Sequence, residues 1–300
     1  MNGLTPLIDG LKSWPLAVLP HHLLSGVVRS ITRWRAGWLK NLLINAFIRH
    51  FRVDMSEALL PSPADYPDFN QFFTRALRPD VRPQPVDADI IACPVDGCIS
   101  QIGRIEDGRL YQAKGRYYSL AALLGGARER AAPFQGGRFV TLYLAPRDYH
   151  RIHMPCHGRL TETVFIPGRL FSVAPHTTRA IANLFVRNER QANLFESPAG
   201  PFAVVMVGAI FVASMETRWE GVIRPAGTTV RHIDYRKPAA KPVELQRGEE
   251  LGRFNMGSTV ILLFGPGQVK WLAELHAERH VRVGQPLGHA RRLPDPGPVC

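Results

Sequence analysis

The stretch GRFNMGSTVILLF, residues 252–264, passes from a polar, glycine-containing segment directly into an unbroken apolar run. Residues 259–264 are short, rich in branched side chains and bounded by glycine, which predicts a buried β-strand. Similar runs lie at residues 139–145, 159–166, 202–212, 218–223 and 228–233, and the best helical segments among them are 120–130 and 177–184. Many short strands with few helices between them predict an α+β fold, with a predominantly antiparallel sandwich or barrel-like core and peripheral helices.

The chain is basic, with 37 Lys and Arg against 25 Asp and Glu and a formal charge of +12. This charge draws a protein toward polyanions, so nucleic acid and an anionic membrane are both open as partners. An apolar fraction of 45% in 300 residues predicts a globular chain and argues against wholesale disorder. The four cysteines form no CxxC pair, and the first ten residues do not resemble a secretory signal, which together predict reduced thiols in a cytosolic compartment.

Region 1–60 is predicted to form an amphipathic helical arm. Its apolar residues recur at helical spacing, at Leu24, Val27, Val28, Ile31, Trp34, Trp38, Leu42, Leu43, Ala46, Phe47 and Phe51. No acidic residue lies between Asp9 and Asp54, and the other face carries the basic residues Arg29, Arg33, Arg35, Lys40, Arg49 and Arg52. Such a helix lies in the headgroup layer of an anionic membrane, and packing on the protein core is the alternative. Since no recognised nucleic-acid motif accompanies it, the sequence favours peripheral membrane association.

Two stretches without charged side chains, residues 13–28 and 197–215, are candidate membrane spans. Residues 13–28 are short and are interrupted by prolines and two histidines, whereas a spanning helix needs about 20 apolar residues. Residues 197–215 are long enough, but glycine and proline interrupt their branched side chains, which favours one or two buried strands. The Pro-rich, acidic segment 60–68 then predicts a linker between the arm and a main domain, residues 61–300.

The segment PRDYHRIHMPCH, residues 146–157, holds the densest group of reactive side chains. These are His150, His153, His157, Cys156 and Asp148. Zinc is one alternative, because imidazole and thiolate are its ligands, but the spacing matches no known finger and HEXXH is absent. Structural histidines are a second alternative, and catalysis is favoured once the other motifs are added.

Two further motifs carry a carboxylate and a hydroxyl. Asp96 lies in a Pro-Val-Asp-Gly turn that enters a strand, and Ser258 lies between Gly257 and the strand 259–264. Each is ordinary by itself. The nucleophile elbow GxSxG of the α/β-hydrolases requires glycine two residues after the serine, and Val260 stands there, so the local sequence gives a hydrolase little support.

Taken together, the motifs resemble the phosphatidylserine decarboxylases, specifically the bacterial membrane-associated type, which are pyruvoyl-dependent proenzymes. The resemblance covers nearly everything from about residue 66 onward. It rests on FNQFFTRALRP (69–79), CPVDGCISQIG (93–103), QAKGRYYSL (112–120), YLAPRDYHRIHMPCHG (143–158), PGRLFSV (167–173), NLFVRNER (183–190), GRFNMGSTVILLF (252–264) and GQPLG (284–288). One departure is Met256, where the family usually has leucine, a change that conserves volume and polarity.

The resemblance implies a proenzyme that cuts itself between Gly257 and Ser258. An Asp–His–Ser triad performs this cleavage in the family, and it carries over to Asp96, His153 and Ser258. Asp96 would orient His153, His153 would deprotonate Ser258, and the alkoxide would attack the carbonyl of Gly257 to give an ester. Elimination of the ester would separate a β chain, residues 1–257, from an α chain, residues 258–300.

The α chain would then begin with a pyruvoyl group, formed from Ser258 with loss of ammonia. By resemblance this group is the cofactor, without metal or pyridoxal phosphate. Its ketone would form a Schiff base with the amine of phosphatidylserine and take up the electrons left by departing carbon dioxide, giving phosphatidylethanolamine. His150 matches the family's other active-site histidine and would protonate the carbanion or position the carboxylate. Lys114 could pair with the lipid phosphate or be a solvated turn lysine.

The family also implies a location and an assembly. Its members are peripheral proteins on the cytoplasmic face of the inner membrane and tend to dimerise, so we expect a homodimer of α–β heterodimers and no nucleic-acid partner. Three alternatives stay open: a serine hydrolase that uses the same triad without self-cleavage, a non-enzymatic binder of membrane or nucleic acid, and a decarboxylase of a different aminophospholipid.

Overall fold

The computed structural model describes residue 9 and residues 21–210, 214–223, 228–255 and 258–291, with the backbone alone described at 21–24, 29 and 258. Met256 and Gly257, at the expected cleavage site, lie outside the described residues. So do residues 1–8 and 10–20 of the N-terminal region and residues 292–300 of the expected α chain.

The strands and helices are short throughout the main domain. The strands are β1 Ile90–Ala92, β2 Gly97–Arg104, β3 Arg109–Ala113, β4 Arg116–Ser119, β5 Arg138–Leu144, β6 Arg151–His153, β7 Gly158–Ile166, β8 Arg190–Ser197, β9 Gly200–Gly208, β10 Met215–Thr217, β11 Gly221–Ile223, β12 Arg231–Asp234, β13 Glu244–Leu245, β14 Glu250–Phe254, β15 Ser258–Phe264, β16 Val269–Trp271, β17 His280–Val281 and β18 Pro286–Ala290. The helices are α1 His21–Thr32, α2 Gly37–Phe51, α3 Phe69–Phe73, α4 Leu120–Leu123, α5 Arg128–Ala131, α6 Pro175–Ala180 and α7 Leu184–Arg187, with 3₁₀ turns at Pro63–Asp65, Pro79–Val81 and Ala132–Phe134.

A nine-stranded sheet forms the centre of the molecule. Its strand order is β12-β7-β8-β9-β15-β5-β2-β17, with β13 paired to β7. All of these pairings are antiparallel. The prediction of an α+β fold with a predominantly antiparallel core is therefore confirmed, and among the described strands this sheet stays open rather than closing into a barrel.

The central sheet is buried on both faces, because residues along each strand alternate between two cores. In β15, Val260, Leu262 and Phe264 join one core, and Ile261 and Leu263 join the other. The first core is shared with the small sheets β11-β10-β14-β6 and β1-β18-β16. The second is covered by the hairpin β3–β4 and the helices α4 and α7. The result is three layers, which is why β15 reads as an unbroken apolar run.

Two of the predicted helices are shorter than expected. The segment 120–130 divides into α4 and α5 because Gly125 and Gly126 adopt positive φ of 90° and 96°, which ends a helix. The segment 177–184 divides into α6 and α7, since Asn183 is left-handed with φ of 56°. Residues 197–215 were expected to form one or two buried strands, and residues 200–208 do form β9, a buried strand at the centre of the sheet.

Within residues 21–60 the N-terminal arm forms the helices α1 and α2, and the described apolar residues divide between two surfaces. On the inner side Ile44 is buried, and Phe47 packs edge-on against Phe69, Phe72 and Phe73. On the outer side lies an exposed apolar stripe formed by Val27, Ile31, Trp34, Trp38 and Leu42. One side of the arm therefore packs on the core, which is the alternative to membrane association, and the other side presents an outward apolar face. No helix in the described part of the chain is long and apolar enough to cross a bilayer.

Candidate active site

The segments that carry Asp96, His150, His153 and Ser258 meet at one end of the strands of the central sheet. Ser258 is the first residue of β15, and its backbone is paired with Leu144 at the end of β5 and with Gly208 at the end of β9. The loop that follows β5 leads through Tyr149 and His150 into β6. The amide of Phe254, at the end of β14, donates to the carbonyl of His150 at 3.1 Å. The segment that carries His150 and the segment that leads to Ser258 are thus held at the same end of the sheet's strands.

His153 is held by hydrogen bonds at both ring nitrogens. Nδ1 lies 2.7 Å from the carbonyl oxygen of Gly248, and Nε2 lies 3.0 Å from the hydroxyl of Tyr149. A carbonyl can only accept, so Nδ1 carries the proton and Nε2 presents its lone pair to the tyrosine hydroxyl. Burial lowers the pKa of His153 below its usual value, partly opposed by the Gly248 carbonyl. The neutral imidazole is therefore favoured, with its lone pair on Nε2.

Gly248 can aim its carbonyl at His153 because it is a glycine. Its φ of +80° lies in the left-handed region, and a Cβ there would stand 2.7 Å from the side chain of Gln84. Position 248 is thus restricted chiefly by its backbone conformation, since the Gln84 side chain is exposed and can move aside. A backbone oxygen 95 residues along the chain fixes the tautomer of His153.

Asp96 is buried, but its hydrogen bonds go to groups other than His153. The guanidinium of Arg82 donates to both carboxylate oxygens, with Nε 3.0 Å from Oδ1, and the amide of Val283 donates to Oδ1 at 2.8 Å. Arg82 also donates to Glu57 at 2.7 Å. The structure therefore places Asp96 near His153, whose protonated form its negative charge favours, without a direct bond between them.

Asp96 and Tyr149 share a pocket of about 270 Å³, here called the arginine pocket. Its lining includes the arginines Arg52, Arg75, Arg82, Arg147 and Arg282 and the carboxylates Asp54, Glu57, Asp96 and Asp148. Arg75 is 4% exposed, and its Nε and Nη1 atoms have no hydrogen-bond partner in the structure. Two buried guanidinium nitrogens without a partner are costly, so the part of the pocket beside Arg75 is suited to an anionic group.

His150 is fully buried and carries an unused acceptor. Its Nδ1 donates to the carbonyl of Asp148 at 2.8 Å, and its Nε2 is buried without a partner. The ring packs on Phe73, with centroids 4.1 Å apart. Burial lowers the pKa of His150 to about 3, so the imidazole is neutral at physiological pH. A buried nitrogen lone pair without a partner marks a place where a polar group of a ligand would be stabilised.

The other residues singled out from the sequence lie elsewhere. His157 pairs with Glu244 of β13 at 2.6 Å, and Lys114 lies on the β3–β4 turn, 3.2 Å from the carboxylate of Asp9. Cys156 is buried, which raises the pKa of its thiol to about 12. Among the residues that the structure describes, no three His, Cys, Asp or Glu side chains are grouped as metal ligands would be.

Sequence reasoning missed Tyr149, Gly248 and Arg82. Tyr149 had a signal, since it lies inside the histidine segment four residues before His153. Gly248 and Arg82 had none, because their roles depend on contacts between distant parts of the chain. A further missed pair is Asn70 of α3 and Asn255, joined by a 3.0 Å hydrogen bond immediately before the expected cleavage site.

Comparison with known proteins is consistent with this arrangement. A family model described as phosphatidylserine decarboxylase matches residues 69–289, and one described as PSD matches residues 11–52. The chain is similar to the phosphatidylserine decarboxylase proenzymes of Nitrosococcus oceani (53% identical, covering 93% of this chain and 92% of the relative) and Ectopseudomonas mendocina (53%, 91% and 96%). That of Bordetella pertussis is 52% identical, covering 94% of this chain and 95% of the relative.

These matches define the protein as a decarboxylase, an enzyme whose relatives are made as proenzymes. The chain belongs to the phosphatidylserine decarboxylase family.

The buried carboxyl of Glu189, at the same end of the sheet's strands, gives a prediction about stability. Glu189 is 5% exposed, and its backbone carbonyl accepts a hydrogen bond from the amide of Gly208. Burial raises the pKa of its side-chain carboxyl from 4.5 to about 7. The folded state thus binds this proton more tightly than the unfolded state. Stability from this group is complete below pH 4.5 and is lost as the pH rises to 7, by roughly 3 kcal/mol.

We therefore expect Glu189→Gln to be more stable than wild type at pH 8 and similar to it near pH 4.5. Guanidinium unfolding followed by tryptophan fluorescence across this range measures the difference. Glu106→Gln, which removes an exposed carboxyl, is the matched control and should leave the pH dependence unchanged. A difference between Glu189→Gln and wild type that does not grow with pH would contradict a protonated, buried Glu189.

Proposed function

We propose that this protein decarboxylates phosphatidylserine to phosphatidylethanolamine with a pyruvoyl group that it makes from Ser258. Family membership supports the reaction and the substrate. The observation that carries the proposal is the position of Ser258, whose backbone opens the central strand β15 beside the segment that holds His150 and His153. A bond cut before a strand that is paired on both edges leaves its new terminus fixed in place.

For self-cleavage, the proposed base is Nε2 of His153. Its lone pair is available because Gly248 holds the proton on Nδ1. Tyr149 now donates to that lone pair, so the hydroxyl of Ser258 either replaces the tyrosine or passes its proton through it. In this proposal Asp96 acts on His153 through its charge, favouring the imidazolium that forms as the serine attacks Gly257.

For decarboxylation, the pyruvoyl group supplies a carbonyl that binds the substrate amine and accepts the electrons released with carbon dioxide. The residues present fit such a site, because His150 offers a buried Nε2 without a partner and Arg75 offers unpaired guanidinium nitrogens. We place the substrate carboxylate near Arg75. The approaching negative charge would raise the pKa of His150 from about 3, so that His150 acquires the proton it later delivers to the carbon that loses carbon dioxide.

The sheet accounts for how two chains would stay together. Residues 258–291 contribute β15, β16, β17 and β18, which pair with β5 and β9, with β2 and with β1. These pairings cross the proposed cleavage point. The α chain would therefore remain embedded in the β chain, and the assembly of two such units into a dimer stays part of the proposal.

The N-terminal arm is proposed to hold the enzyme on an anionic membrane, the cytoplasmic face of the inner membrane. The apolar stripe is supported in this role by its exposure, which reaches 59% at Trp34 and 76% at Trp38. Arg33, Arg35 and Arg49 are exposed on the same arm and complement anionic headgroups. Large exposed aromatic side chains beside basic residues are typical of interfacial helices.

Self-cleavage is tested by intact mass under denaturing conditions. Wild type should give chains 1–257 and 258–300, the second lighter by one ammonia than a peptide that starts with serine. Ser258→Ala and His153→Ala should give a single 300-residue chain, because the nucleophile or its base is missing, whereas the exposed Ser56→Ala should be cleaved normally. An intact wild-type chain that a fluorophosphonate labels on Ser258 would instead indicate a serine hydrolase.

His150 is expected to serve decarboxylation rather than cleavage. His150→Gln should give two chains but lower kcat by about 10²- to 10⁴-fold, the range typical of a lost acid–base group. Release of carbon dioxide from carboxyl-labelled phosphatidylserine measures this. His157→Gln, at the half-exposed pair with Glu244, is the control. An uncleaved His150→Gln protein would show that the two histidines do not divide the work in this way.

Membrane binding is tested with the double variant Trp34→Ser, Trp38→Ser. Removing two side chains that each contribute roughly 1.5–3 kcal/mol on burial should weaken sedimentation with phosphatidylglycerol vesicles at least tenfold. Leu59→Ser with Leu60→Ser removes comparably exposed apolar groups outside the stripe and should have little effect. Equal losses in both double variants would count against the stripe as the membrane-facing surface.

A further inference from the structure

A carboxylate from the N-terminal region lies between two cations of the main domain. Nε and Nη2 of Arg179 donate to the two oxygens of Asp9 at 2.9 Å each, and Nζ of Lys114 donates to Oδ2 at 3.2 Å. The side chain of Asp9 is only 5% exposed. We call Lys114 and Arg179 the cation clamp. The clamp holds an anion in the two-pronged geometry that arginine uses for carboxylates and phosphates.

The cation clamp is built into the fold rather than formed by two mobile surface residues. Gln112, which is fully buried at the end of β3, donates to the carbonyls of Thr178 and Ile181 at 2.8 and 2.7 Å and accepts from the amide of Leu184 at 2.9 Å. These bonds fix the end of β3 against α6. The separation between Lys114, two residues further on, and Arg179 is set by that attachment.

Lys114 also has an unfavourable backbone conformation. Its φ is +48°, in the left-handed region that a non-glycine residue adopts at an energetic cost, and Gly115 follows with φ of +71°. The two residues form the tight turn of the hairpin β3–β4, in which Ala113 pairs with Arg116, and two-residue hairpin turns take positive φ at both central positions. The hairpin thus fixes the backbone of Lys114.

The cation clamp lies at the edge of a second cavity. Lys114 and Arg179 line a cleft of about 380 Å³, with Ile99, Tyr143 and Pro175 among its apolar walls. Both cations are partly exposed, at 38% and 32% of their side chains, so the clamp lies at the outer edge. We call this cavity the apolar cleft.

The apolar cleft leads toward the proposed reaction site. It shares Arg147, Asp148 and His280 with the arginine pocket, so the two cavities adjoin. Its wall residue Tyr143 is paired in the sheet with Thr259, the neighbour of Ser258. The serine headgroup of a phospholipid whose phosphate lies in the clamp would therefore point along the cleft toward the start of β15.

We propose that the cation clamp binds the phosphate of the phospholipid substrate, and that Asp9 occupies it as an internal competitor when no lipid is bound. This inference rests on the proposed function. A phosphodiester has one negative charge and two free oxygens, as a carboxylate has, so it replaces Asp9 without changing the charge in the clamp. Arg179 lowers the pKa of Asp9 to about 2, so the competitor stays charged at any working pH.

The test uses the processed, full-length enzyme in non-ionic detergent micelles, with the surface fraction of phosphatidylserine varied. Arg179→Met should raise KM at least tenfold, the loss expected for a hydrogen-bonded charge, with kcat within about twofold of wild type. Asp9→Asn should move KM in the opposite direction, downward, because the competitor is weakened. Arg236→Met, which removes an exposed arginine paired with Asp234 on the β12 side of the sheet, controls for general charge and should leave KM unchanged.

The opposite signs separate a binding site from a structural ion pair. If Asp9 only stabilised the fold, Asp9→Asn and Arg179→Met would both lower Tm, and the two variants would not shift KM in opposite directions. That result would overturn the proposal. Lys114→Met gives a second reading of the same site and should also raise KM.

Two further measurements distinguish a lipid phosphate from free phosphate, and a failure of the cation clamp from a failure of the proposed function. Inorganic phosphate, titrated at constant ionic strength, should compete only weakly with phosphatidylserine. If inorganic phosphate instead bound tightly and Arg179→Met left the lipid KM unchanged, the clamp would be a site for free phosphate and the proposal would be overturned. If wild type released no carbon dioxide from phosphatidylserine, the proposed function would fail. Binding of wild type, Arg179→Met and Arg236→Met to phosphatidylserine vesicles would then still test the clamp, with a selective loss in Arg179→Met supporting it and equal binding overturning it.

Discussion

Strand β15 is bonded along its whole length to β5 on one side and to β9 on the other, and both of its faces are buried. Everything at the site depends on this double pairing. It fixes the backbone of Ser258 opposite Leu144 and Gly208, and it therefore fixes where the loop after β5 must pass. Because a one-residue slip would turn every side chain to the opposite face, two separate cores enforce the register.

Desolvation controls the protonation of the histidines at that end of the sheet's strands. Burial keeps both histidines neutral, so their acid–base behaviour follows from the hydrogen bonds they make. His153 has its proton assigned by a backbone carbonyl, whereas His150 has a lone pair with no partner. Arg82 meanwhile donates hydrogen bonds to both Asp96 and Glu57. The carboxylate can stay buried only because this guanidinium accompanies it.

Much of the fold could be predicted from local sequence, because short branched runs bounded by glycine and proline are a local property. The predicted runs at 139–145, 159–166 and 259–264 correspond closely to β5, β7 and β15. The helices at 120–130 and 177–184 were overextended, since their apolar periodicity continues across residues whose backbone turns left-handed. The candidate site residues came from motifs, but their partners did not. Gly248 meets His153, and Val283 meets Asp96, only after the sheet has formed.

The position of β15 in the sheet has a consequence for how the protein can be taken apart. The molecule folds as one polypeptide, so bringing β15 between β5 and β9 is an intramolecular step. After a cut before Ser258, the same step would require two molecules to meet, and its equilibrium would depend on their concentrations. Heating or denaturant would then separate the pieces without an equivalent route back. A processed enzyme of this design has a lifetime governed by its unfolding rate rather than by a reversible balance.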